Sequence, residues 1–513
     1  MKRNLTLAVL TGIMVALSFP PFKTGFLAFA ALIPFFLLLE RKKGTEAFRW
    51  AYVTGLFIDI FSLFWLGWVT LPGLIGALLI LPLYFALFGV LHSFLYRRLE
   101  NVAYLVAPFL WTAIEYLQSF GETAFPWTYL GYSQTYYLPF IQFAEYTSVY
   151  GVSFWIVLIN ALFYLLWRAN LSAAKRYTVA AVLAGLVIVP FVHGEITLRQ
   201  RSDGGKIKVA LLQGNVDPFE KWDDDLYERN FAVYERLMKK AAVEQPDLYI
   251  WPETATPFYL RYEFRYLQRM RQMVDSLGAP ILTGALDYET RRDGNYDYFN
   301  AALFIKPFSL RIQKYAKMKL VPFSERVPYK QFFPFNVLKN LLYDMALGIG
   351  DYARGDRFTI FRFKPSRQYS GKAEDEKQEI RFASPICYES VFPALVRQFV
   401  KKGVDFLVII TNDAWFGKTS APYQHAQIAV FRAIENRRSI ARCANTGVSC
   451  FIDPYGRVLK ATKIFQPAVL VDDIPLNREM TFYTKHGNVF ALAVSIIALL
   501  SLFASFLFRI KVI

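Results

Sequence analysis

The stretch "SPICYES", residues 384–390, places Cys387 at the end of a short apolar run and two residues before Glu389. The chain of 513 residues contains only three cysteines. They cannot all pair within one chain, so at least one thiol is free or pairs elsewhere. Cys443 and Cys450 are close enough in sequence for a disulfide across a turn, although nothing requires one. Cys387 is therefore the thiol that needs a separate explanation.

The composition indicates a membrane protein with a soluble insert. Hydrophobic residues make up 55% of the chain, which exceeds the apolar content of ordinary soluble domains. They fill most of the first 193 positions, become sparse between about 195 and 485, and return near the C-terminus. This pattern predicts a membrane domain at 1–194, a catalytic domain at 195–486, and a last transmembrane helix with a short tail at 487–513.

Eight apolar runs are candidates for membrane-spanning helices, since a helix needs roughly 20 mostly apolar residues to cross the hydrocarbon core. They cover residues 4–20, 25–39, 50–71, 74–95, 102–119, 152–167, 177–193 and 487–508. Asp59 and Glu115 lie inside two of these runs, and each is a functional candidate because an ionisable residue is costly in a bilayer. A position near the membrane interface or pairing with a neighbouring helix explains each residue equally well.

The distribution of basic residues predicts the orientation. If the N-terminus is cytoplasmic, the loops on that side collect Lys2, Arg3, Arg41, Lys42, Lys43, Arg49, Arg97, Arg98, Arg168, Lys175, Arg176, Arg509 and Lys511, and the short loops on the other side contain only Lys23. Short cytoplasmic loops are enriched in Lys and Arg. Seven spans before the insert then place the catalytic domain outside the cytoplasm, with both termini inside.

The net charge of +17 does not by itself exclude any class of partner. The sequence contains no run of five or more basic residues, so it does not indicate nucleic-acid binding. Contact with the anionic head groups of the lipid bilayer explains the charge better. No cluster of metal ligands, P-loop or dinucleotide fingerprint is present in the sequence, so we expect no metal and no cofactor.

The insert alternates β-rich runs with amphipathic helical stretches, which predicts an α/β layered domain with its function at strand ends. "YIWPETA" carries Glu253, "YAKMKLVPFSERVP" carries Lys317 and Glu325, and "FASPICYES" carries Cys387. A glutamate can activate a thiol if burial raises its pKa, and a lysine can hold the oxyanion. His425 is the alternative base in the insert. Spacing alone does not bring these residues together.

The motifs "WPETA", "YAKMKLVPFSE", "ICYES" and "TNDAWFG", in this order, resemble the nitrilase superfamily. Together with "SFPPF", "FPWTYLGYSQ", "LLQGNV" and the eight spans, the chain is similar to the apolipoprotein N-acyltransferase family of the bacterial inner membrane. The resemblance implies a multi-pass α-helical membrane domain plus an α/β nitrilase-like αββα sandwich. It also implies Glu253 as base, Lys317 as oxyanion-stabilising cation, Cys387 as nucleophile and Glu325 as partner of the lysine. The positions that match its active-site region and mobile arms are Trp222, Tyr388, Glu389, Trp415 and Phe416.

Two residues depart from the family pattern. Ser324 stands where the family has a glycine. If this position needs a positive φ, which glycine adopts far more easily than serine, the resemblance does not determine the conformation of the loop. Lys319 replaces a frequent histidine and adds a second cation two residues from Lys317. If residues 315–320 form a strand, the two lysines share a face.

The reaction implied by the resemblance moves the sn-1 acyl chain of a phospholipid, through a thioester on Cys387, to the α-amino group of a diacylglyceryl-cysteine at an apolipoprotein N-terminus. Two alternatives keep the fold: a membrane-tethered amidase or hydrolase, and a non-catalytic lipid or lipoprotein carrier. The apolar stretch 331–348 is predicted to be either a lid over the cleft or a helix packed on the sandwich.

Overall fold

The computed structural model describes residues 1–200, 204–218, 226–332, 351–365 and 379–507. The chain divides into two units. A helical unit comprises Met1–Gln200 and His486–Ile513, and a second unit comprises Arg201–Lys485. These limits fall close to the domain ends predicted at residues 194 and 486.

The helical unit begins with α-helices that are separated by short turns. In chain order they are α1 (Lys2–Ser18), α2 (Ala28–Ala31), α3 (Ile33–Leu39), α4 (Gly44–Leu63), α5 (Leu66–Val69), α6 (Leu71–Ile80), α7 (Pro82–Leu99), α8 (Val102–Leu117), α9 (Leu138–Ile141), α10 (Ala144–Arg168) and α11 (Ala173–Leu198). A further helix, Val489–Leu507, completes the unit.

Four helical stretches of the described chain are long and apolar enough to cross a bilayer, judged by length and composition. They are Leu71–Leu99, Ala144–Arg168, Ala173–Leu198 and Val489–Leu507. The first helix, α1, has 17 residues, and α4 carries three charged residues among its 20. The predicted number of eight spans therefore stays a prediction.

The side chain of Asn160 supplies hydrogen-bond partners for backbone groups where the helical segment between Gly25 and Leu39 is interrupted. Its side chain accepts a hydrogen bond from the Leu32 N–H (2.9 Å) and donates one to the Ala28 carbonyl (2.8 Å). A buried backbone group without a partner is costly, above all where water is excluded. The break between α2 and α3 is thus stabilised by one buried amide on α10.

The two acidic candidates of the helical unit differ in their surroundings. Glu115 accepts hydrogen bonds from the Trp111 indole (2.9 Å) and the Leu130 N–H (2.8 Å), so it ties α8 to the segment that follows it. Asp59 is fully buried, and neither carboxylate oxygen has a hydrogen-bond partner among the described residues. Pairing with a neighbouring segment therefore accounts for Glu115 but not for Asp59.

The second unit, here called the sandwich unit, contains twelve strands in its described residues. In chain order they are β1 (Lys206–Gln213), β2 (Leu248–Ile250), β3 (Ile281–Thr290), β4 (Tyr296–Ile305), β5 (Gln313–Ala316), β6 (Phe361–Phe363), β7 (Ile380–Ala383), β8 (Phe406–Thr411), β9 (Ser439–Ala444), β10 (Cys450–Ile452), β11 (Val458–Ala461) and β12 (Ala468–Pro475). Its helices are α12 (Tyr227–Ala242), α13 (Phe264–Leu277), α14 (Pro393–Lys401), α15 (Ala421–Asn436) and α16 (Phe482–His486).

The strands form two six-stranded sheets with the orders β12-β1-β2-β3-β4-β5 and β11-β10-β9-β8-β7-β6. The centre of each sheet is parallel, through β1-β2-β3 and β7-β8-β9, and the flanking pairs are antiparallel. Since β5 is antiparallel to β4, and β4 to β3, β5 runs in the same direction as β2. The ends of β2 and β5 therefore lie at the same edge of the first sheet.

Helices cover the outer faces of the sheets. Phe231 on α12 and Met270 on α13 belong to the core that is formed with the first sheet, and α15 packs against β9 and β10 of the second sheet. The inner faces meet where the Phe304 ring lies 5.4 Å from Phe361 and 5.3 Å from Phe382. Strands buried on both faces read as continuous apolar runs, which is why β8 reads "FLVIIT". The predicted αββα sandwich is confirmed.

All three cysteines are free. Cys443 lies in β9 with its sulfur 3.3 Å from the Ile250 carbonyl oxygen, where it packs in the core between the sheets. In the antiparallel pair of β9 and β10, the residue opposite Cys450 is Arg442 and not Cys443. The disulfide considered between Cys443 and Cys450 is absent.

Candidate active site

Three predicted site residues follow the ends of three strands. Glu253 comes three residues after β2, Lys317 comes directly after β5, and Cys387 opens a 3-10 turn, Cys387–Val391, after β7. Gly284 on β3 makes room for the first of them, because a Cβ at Gly284 would lie 2.5 Å from the Glu253 Cα. A residue with a side chain at position 284 of β3 would therefore collide with the backbone of the turn that carries Glu253.

Glu253, Lys317 and Glu325 form one buried cluster. The Lys317 ammonium donates to Glu253 Oε1 (3.1 Å) and to Glu325 Oε1 (2.8 Å). The Asn300 amide donates to the same two oxygens, at 2.7 Å and 3.0 Å. Glu253 is 5% exposed and Lys317 1% exposed, so water screens these charges little. One cation is thus held between two carboxylates.

The backbone completes the cluster. The second oxygen of Glu253 accepts from the Asn412 N–H (2.8 Å), and the second oxygen of Glu325 accepts from the Val321 N–H (2.8 Å). Each carboxylate is therefore fixed at both oxygens, which leaves little rotational freedom to either side chain. Such fixed geometry is what an acid–base group needs when it must meet a reacting atom.

The pKa shifts in the cluster favour an ionised Glu253 beside a charged Lys317. Burial alone would raise the pKa of Glu253, but Lys317 and the hydrogen bonds from Asn300 and Asn412 outweigh it, so that the pKa is lowered. Burial opposes the charge on Lys317, but Glu253 and Glu325 raise its pKa well above the usual value. The condition that burial raises the pKa of Glu253 toward that of a thiol is therefore not met, because a buried cation lies beside it.

Cys387 has a strained backbone and a protonated thiol. Its φ of 51° lies in the left-handed region, which costs a non-glycine residue about 1–3 kcal/mol and is concentrated at functional sites. Burial raises the pKa of the thiol, the Glu253 carboxylate raises it further, and Lys317 acts in the opposite direction. The resting site thus pairs an ionised Glu253 with a neutral thiol.

Glu389 joins the turn of Cys387 to the segment of Lys317. One carboxylate oxygen accepts from the Tyr315 hydroxyl (2.7 Å) and from the N–H groups of Met318 (2.6 Å) and Lys319 (3.1 Å). The other accepts from the Ile386 N–H (2.8 Å). Glu389 is fully buried, and it connects the backbone on both sides of the site.

His425 lies behind the nucleophile. Its Nε2 is 3.1 Å from the Cys387 carbonyl oxygen and 3.0 Å from the Ser390 hydroxyl, and its Nδ1 is 2.9 Å from Asp413 Oδ1. Asp413 also accepts from Arg442 (2.8 Å). Burial disfavours the Asp413 carboxylate, but Arg442 and His425 lower its pKa. These contacts make His425 a partner of the cysteine backbone.

The structure describes three of the four remaining predicted site residues. Tyr388 is buried, with its ring edge on Phe392 at 5.1 Å between centroids. Trp415 and Phe416 are partly exposed on the turn that begins at Asp413. Trp222 and residues 333–348 of the predicted lid lie outside the described part of the chain.

The two departures from the family pattern have local explanations. Positive φ falls on Phe323 (60°) and not on Ser324, so a serine meets no conformational penalty there. Strand β5 ends at Ala316, so Lys317 and Lys319 do not share a strand face. The Lys319 ammonium lies over the Phe392 ring, 5.1 Å from its centroid, which separates it from the two carboxylates that hold Lys317.

Sequence reasoning missed Asn300, Tyr315, Asn412 and Asp413. A signal existed for Asn300, because it is a polar residue inside the apolar run "YFNAALFI". Asn412 and Asp413 lie in the quoted motif "TNDAWFG", but the first acts on Glu253 through its backbone N–H, which no side-chain pattern reveals. Within the described ranges, no group of three or more His, Cys, Asp or Glu side chains is placed to hold a metal ion.

Two family models match the chain. Residues 208–481 match the carbon-nitrogen hydrolase family, and residues 11–162 match the apolipoprotein N-acyltransferase N-terminal domain. The first match covers the buried Glu–Lys–Glu cluster and Cys387, so the sandwich unit is a carbon-nitrogen hydrolase domain, the fold of the nitrilase superfamily.

Curated relatives extend the match over nearly the whole chain. The apolipoprotein N-acyltransferase of Geobacter metallireducens is 38% identical over 96% of this chain and 93% of its own length. That of Chlorobaculum tepidum is 34% identical over 94% and 93%, and apolipoprotein N-acyltransferase 1 of Treponema denticola is 28% identical over 97% and 95%. The chain belongs to the apolipoprotein N-acyltransferase family. It is an enzyme of the acyltransferase class, and its apolar helices are those of a membrane protein.

Proposed function

We propose that this enzyme moves the sn-1 acyl chain of a membrane phospholipid to the α-amino group of the diacylglyceryl-cysteine at an apolipoprotein N-terminus, the last step of lipoprotein maturation. The observation that carries the proposal is the Lys317 ammonium, which is held by Glu253 and Glu325 and lies close enough to Cys387 to lower the pKa of its thiol against the effect of burial. A thiol, a base and a fixed cation are the groups that acyl transfer through a thioester requires.

In the first half-reaction, Glu253 accepts the proton of the Cys387 thiol and the sulfur attacks the ester carbonyl carbon. The carbonyl oxygen becomes an oxyanion that is stabilised by Lys317. When the tetrahedral intermediate collapses, the C–O bond breaks and the leaving alkoxide of the lysophospholipid takes the proton from Glu253. The acyl chain then remains on Cys387 as a thioester.

In the second half-reaction, the α-amino group attacks the thioester carbonyl carbon and Glu253 accepts an amine proton. The C–S bond breaks as the amide forms, and the Cys387 sulfur recovers the proton from Glu253. The same base therefore serves both halves, and no net proton is consumed. Both substrates carry acyl chains, which accounts for the combination of this domain with apolar helices in one chain.

The location follows from the sequence pattern. The enzyme resides in the bacterial inner membrane with both termini in the cytoplasm, the membrane domain at 1–194 and 487–513, and the catalytic domain at 195–486 in the periplasm. Arg292→Cys on the sandwich unit and Arg41→Cys on the helical unit are both exposed positions. In spheroplasts, with both substitutions introduced into Cys387→Ala so that no reactive thiol remains in the sandwich unit, a membrane-impermeant maleimide should label the first and not the second. The reverse labelling would overturn this orientation.

The function is tested with purified enzyme, a phospholipid whose sn-1 chain is labelled, and a diacylglyceryl-cysteine peptide. Without the peptide, intact mass should show one acyl group on the protein, which hydroxylamine removes. Adding the peptide should move the label to its amine. Cys387→Ala should abolish both steps, and Cys450→Ala is the matched control because Cys450 is a buried thiol of β10.

The same assay separates the two alternatives. A membrane-tethered amidase or hydrolase would release free fatty acid at the same rate with and without the peptide. A non-catalytic carrier would gain no acyl mass on Cys387. Acylation that survives in Cys387→Ala would show that another residue is the nucleophile.

A further inference from the structure

The base and the nucleophile are connected by two neighbouring residues at the end of β8. Asn412 donates its backbone N–H to Glu253 Oε2 (2.8 Å), and the side chain of Asp413, the next residue, contacts His425 Nδ1 (2.9 Å). His425 Nε2 in turn contacts the Cys387 carbonyl oxygen (3.1 Å). Any shift of this turn therefore moves a contact of Glu253 and the support of Cys387 together.

The hydrogen-bond geometry assigns the donor role to His425 Nε2. Ser390 has a single hydroxyl hydrogen, and it donates that hydrogen to the Cys387 carbonyl at 2.7 Å. With that hydrogen on the carbonyl, Nε2 lies against two oxygens, at 3.0 Å and 3.1 Å, and Nδ1 lies against the Asp413 carboxylate, so in this arrangement the ring donates from both nitrogens. The carbonyl of Cys387 is held from two sides by two side chains.

This support acts on the residue with the strained backbone. Cys387 adopts a φ of 51°, a conformation that persists only when surrounding groups enforce it. The orientation of its peptide determines where the sulfur points. Two side-chain donors on that peptide are therefore a means of aiming the thiol.

Asp413 is itself built into the core. It accepts from the Thr411 hydroxyl (2.8 Å) and from Arg442 (2.8 Å), and Asp413, His425 and Arg442 are all fully buried. A Cβ at Gly447 would lie 2.2 Å from Asp413 Oδ2, so a side chain at position 447 would displace the carboxylate. Strands β8 and β9 and helix α15 thus converge to fix one imidazole ring.

We propose that Asp413 and His425 form a positioning pair, which orients the nucleophile Cys387 relative to the base Glu253 through the Cys387 carbonyl. The contact of the pair with Cys387 runs through its backbone carbonyl oxygen. The inference deepens the proposed function and rests on it for the acyl-transfer readout, but alkylation of Cys387 by iodoacetamide tests the orientation without any lipid substrate. Failure of the two claims can therefore be told apart.

The experiment compares His425→Gln, which keeps an amide donor near the position of Nε2, with His425→Phe, which keeps the ring and removes the donor. We expect His425→Phe to lower kcat about 100-fold with KM within about two-fold, and His425→Gln to recover at least about one tenth of the wild-type kcat, because the loss concerns alignment and not binding. The rate of Cys387 alkylation at fixed pH should decrease in the same order, from wild type to His425→Gln to His425→Phe.

Glu435→Gln on the same helix is the matched control. Glu435 is fully buried and pairs with Arg432 at 2.9 Å, ten positions from His425 and hence about 15 Å along the helix. It should change the melting temperature as much as His425→Gln while leaving kcat within about two-fold. The proposal is overturned if His425→Phe retains wild-type kcat and alkylation, or if its losses match those of Glu435→Gln. Alkylation that follows the predicted order without acyl transfer would support the pair and reject the proposed function.

Discussion

The Glu389 carboxylate accepts a 2.7 Å hydrogen bond from the Tyr315 hydroxyl, so that the turn of the nucleophile is attached to the strand that precedes Lys317. Three backbone N–H groups point at the same carboxylate. Glu389 therefore explains the glutamate in "ICYES" as a group that holds two parts of the site in register, and it leads to a first prediction.

Glu389→Gln should be far more harmful than Tyr315→Phe. An amide can accept at only one of its two positions, so its NH2 group would oppose an N–H donor in a buried site. We expect at least about a 100-fold loss of kcat and a lower melting temperature, whereas Tyr315→Phe removes one donor of four and should cost about 10-fold. Steady-state kinetics with the labelled phospholipid measure both. Equal losses in the two variants would contradict this role.

Glu253→Gln should have opposite effects on two reactions of Cys387. Acyl transfer should fall at least about 1,000-fold, because the base is lost. Alkylation by iodoacetamide at pH 8 should become about 3- to 10-fold faster, because the Glu253 carboxylate raises the pKa of the thiol and its removal increases the thiolate fraction. Glu289→Gln, on an exposed carboxylate that pairs with Lys314, should change neither rate.

The alkylation rate of the wild-type enzyme should rise steadily with pH. Burial and Glu253 raise the pKa of the Cys387 thiol above its usual value, so the thiolate is the minor form at neutral pH and its fraction grows as pH increases. We expect no plateau between about pH 7 and pH 9. A plateau reached below pH 7 would mean that Lys317 dominates over burial.

Substitution of the two neighbouring lysines should have very different effects on acyl transfer. Lys317→Met removes the buried cation and leaves Glu253 and Glu325 facing each other, so that acyl transfer should be lost by at least about 1,000-fold. Lys319→Met keeps the backbone N–H that binds Glu389, and its kcat should stay within about three-fold of the wild type. A larger loss in Lys319→Met than in Lys317→Met would assign the oxyanion role to Lys319.

Asn300→Ala should lower kcat about 10-fold with little effect on KM. The Asn300 amide bridges Glu253 and Glu325, so its loss loosens the base without removing any charge. Thr283 on the neighbouring strand β3 is buried like Asn300, so Thr283→Ala serves as the control. If Asn300→Ala affects KM and kcat equally, the residue contributes to binding instead.

Sequence motifs located the groups of the cluster but not their electrostatics. Glu253, Lys317 and Glu325 could be named because each lies in a motif with a known order, and the structure brings all three together. The direction of the Glu253 pKa could not be predicted, because it depends on whether a buried cation lies 3.1 Å away. The separation of Lys317 from Lys319 depended on where β5 ends, which the apolar pattern did not fix.

The fold was predictable for a similar reason. Buried strands such as β8 are continuous apolar runs, so the layered sandwich could be inferred from the sequence. Hydrophobic runs alone do not show where helices are interrupted: the segment 25–39 is broken by a bend that Asn160 satisfies, and α4 contains Asp59 with two further charged residues. Long-range hydrogen bonds of this kind leave no trace in a local pattern.

The pairing of the first and last strands of the sandwich unit bears on how such a chain is assembled. Lys206 at the start of β1 lies opposite Pro475 at the end of β12, so the first strand begins beside the end of the last strand, and only the short segment with α16 follows before the unit ends at Lys485. A domain with neighbouring termini can be inserted into a host chain without rearranging either partner. The first and last strands of the sandwich unit therefore meet the geometric condition for a domain that is inserted into another chain.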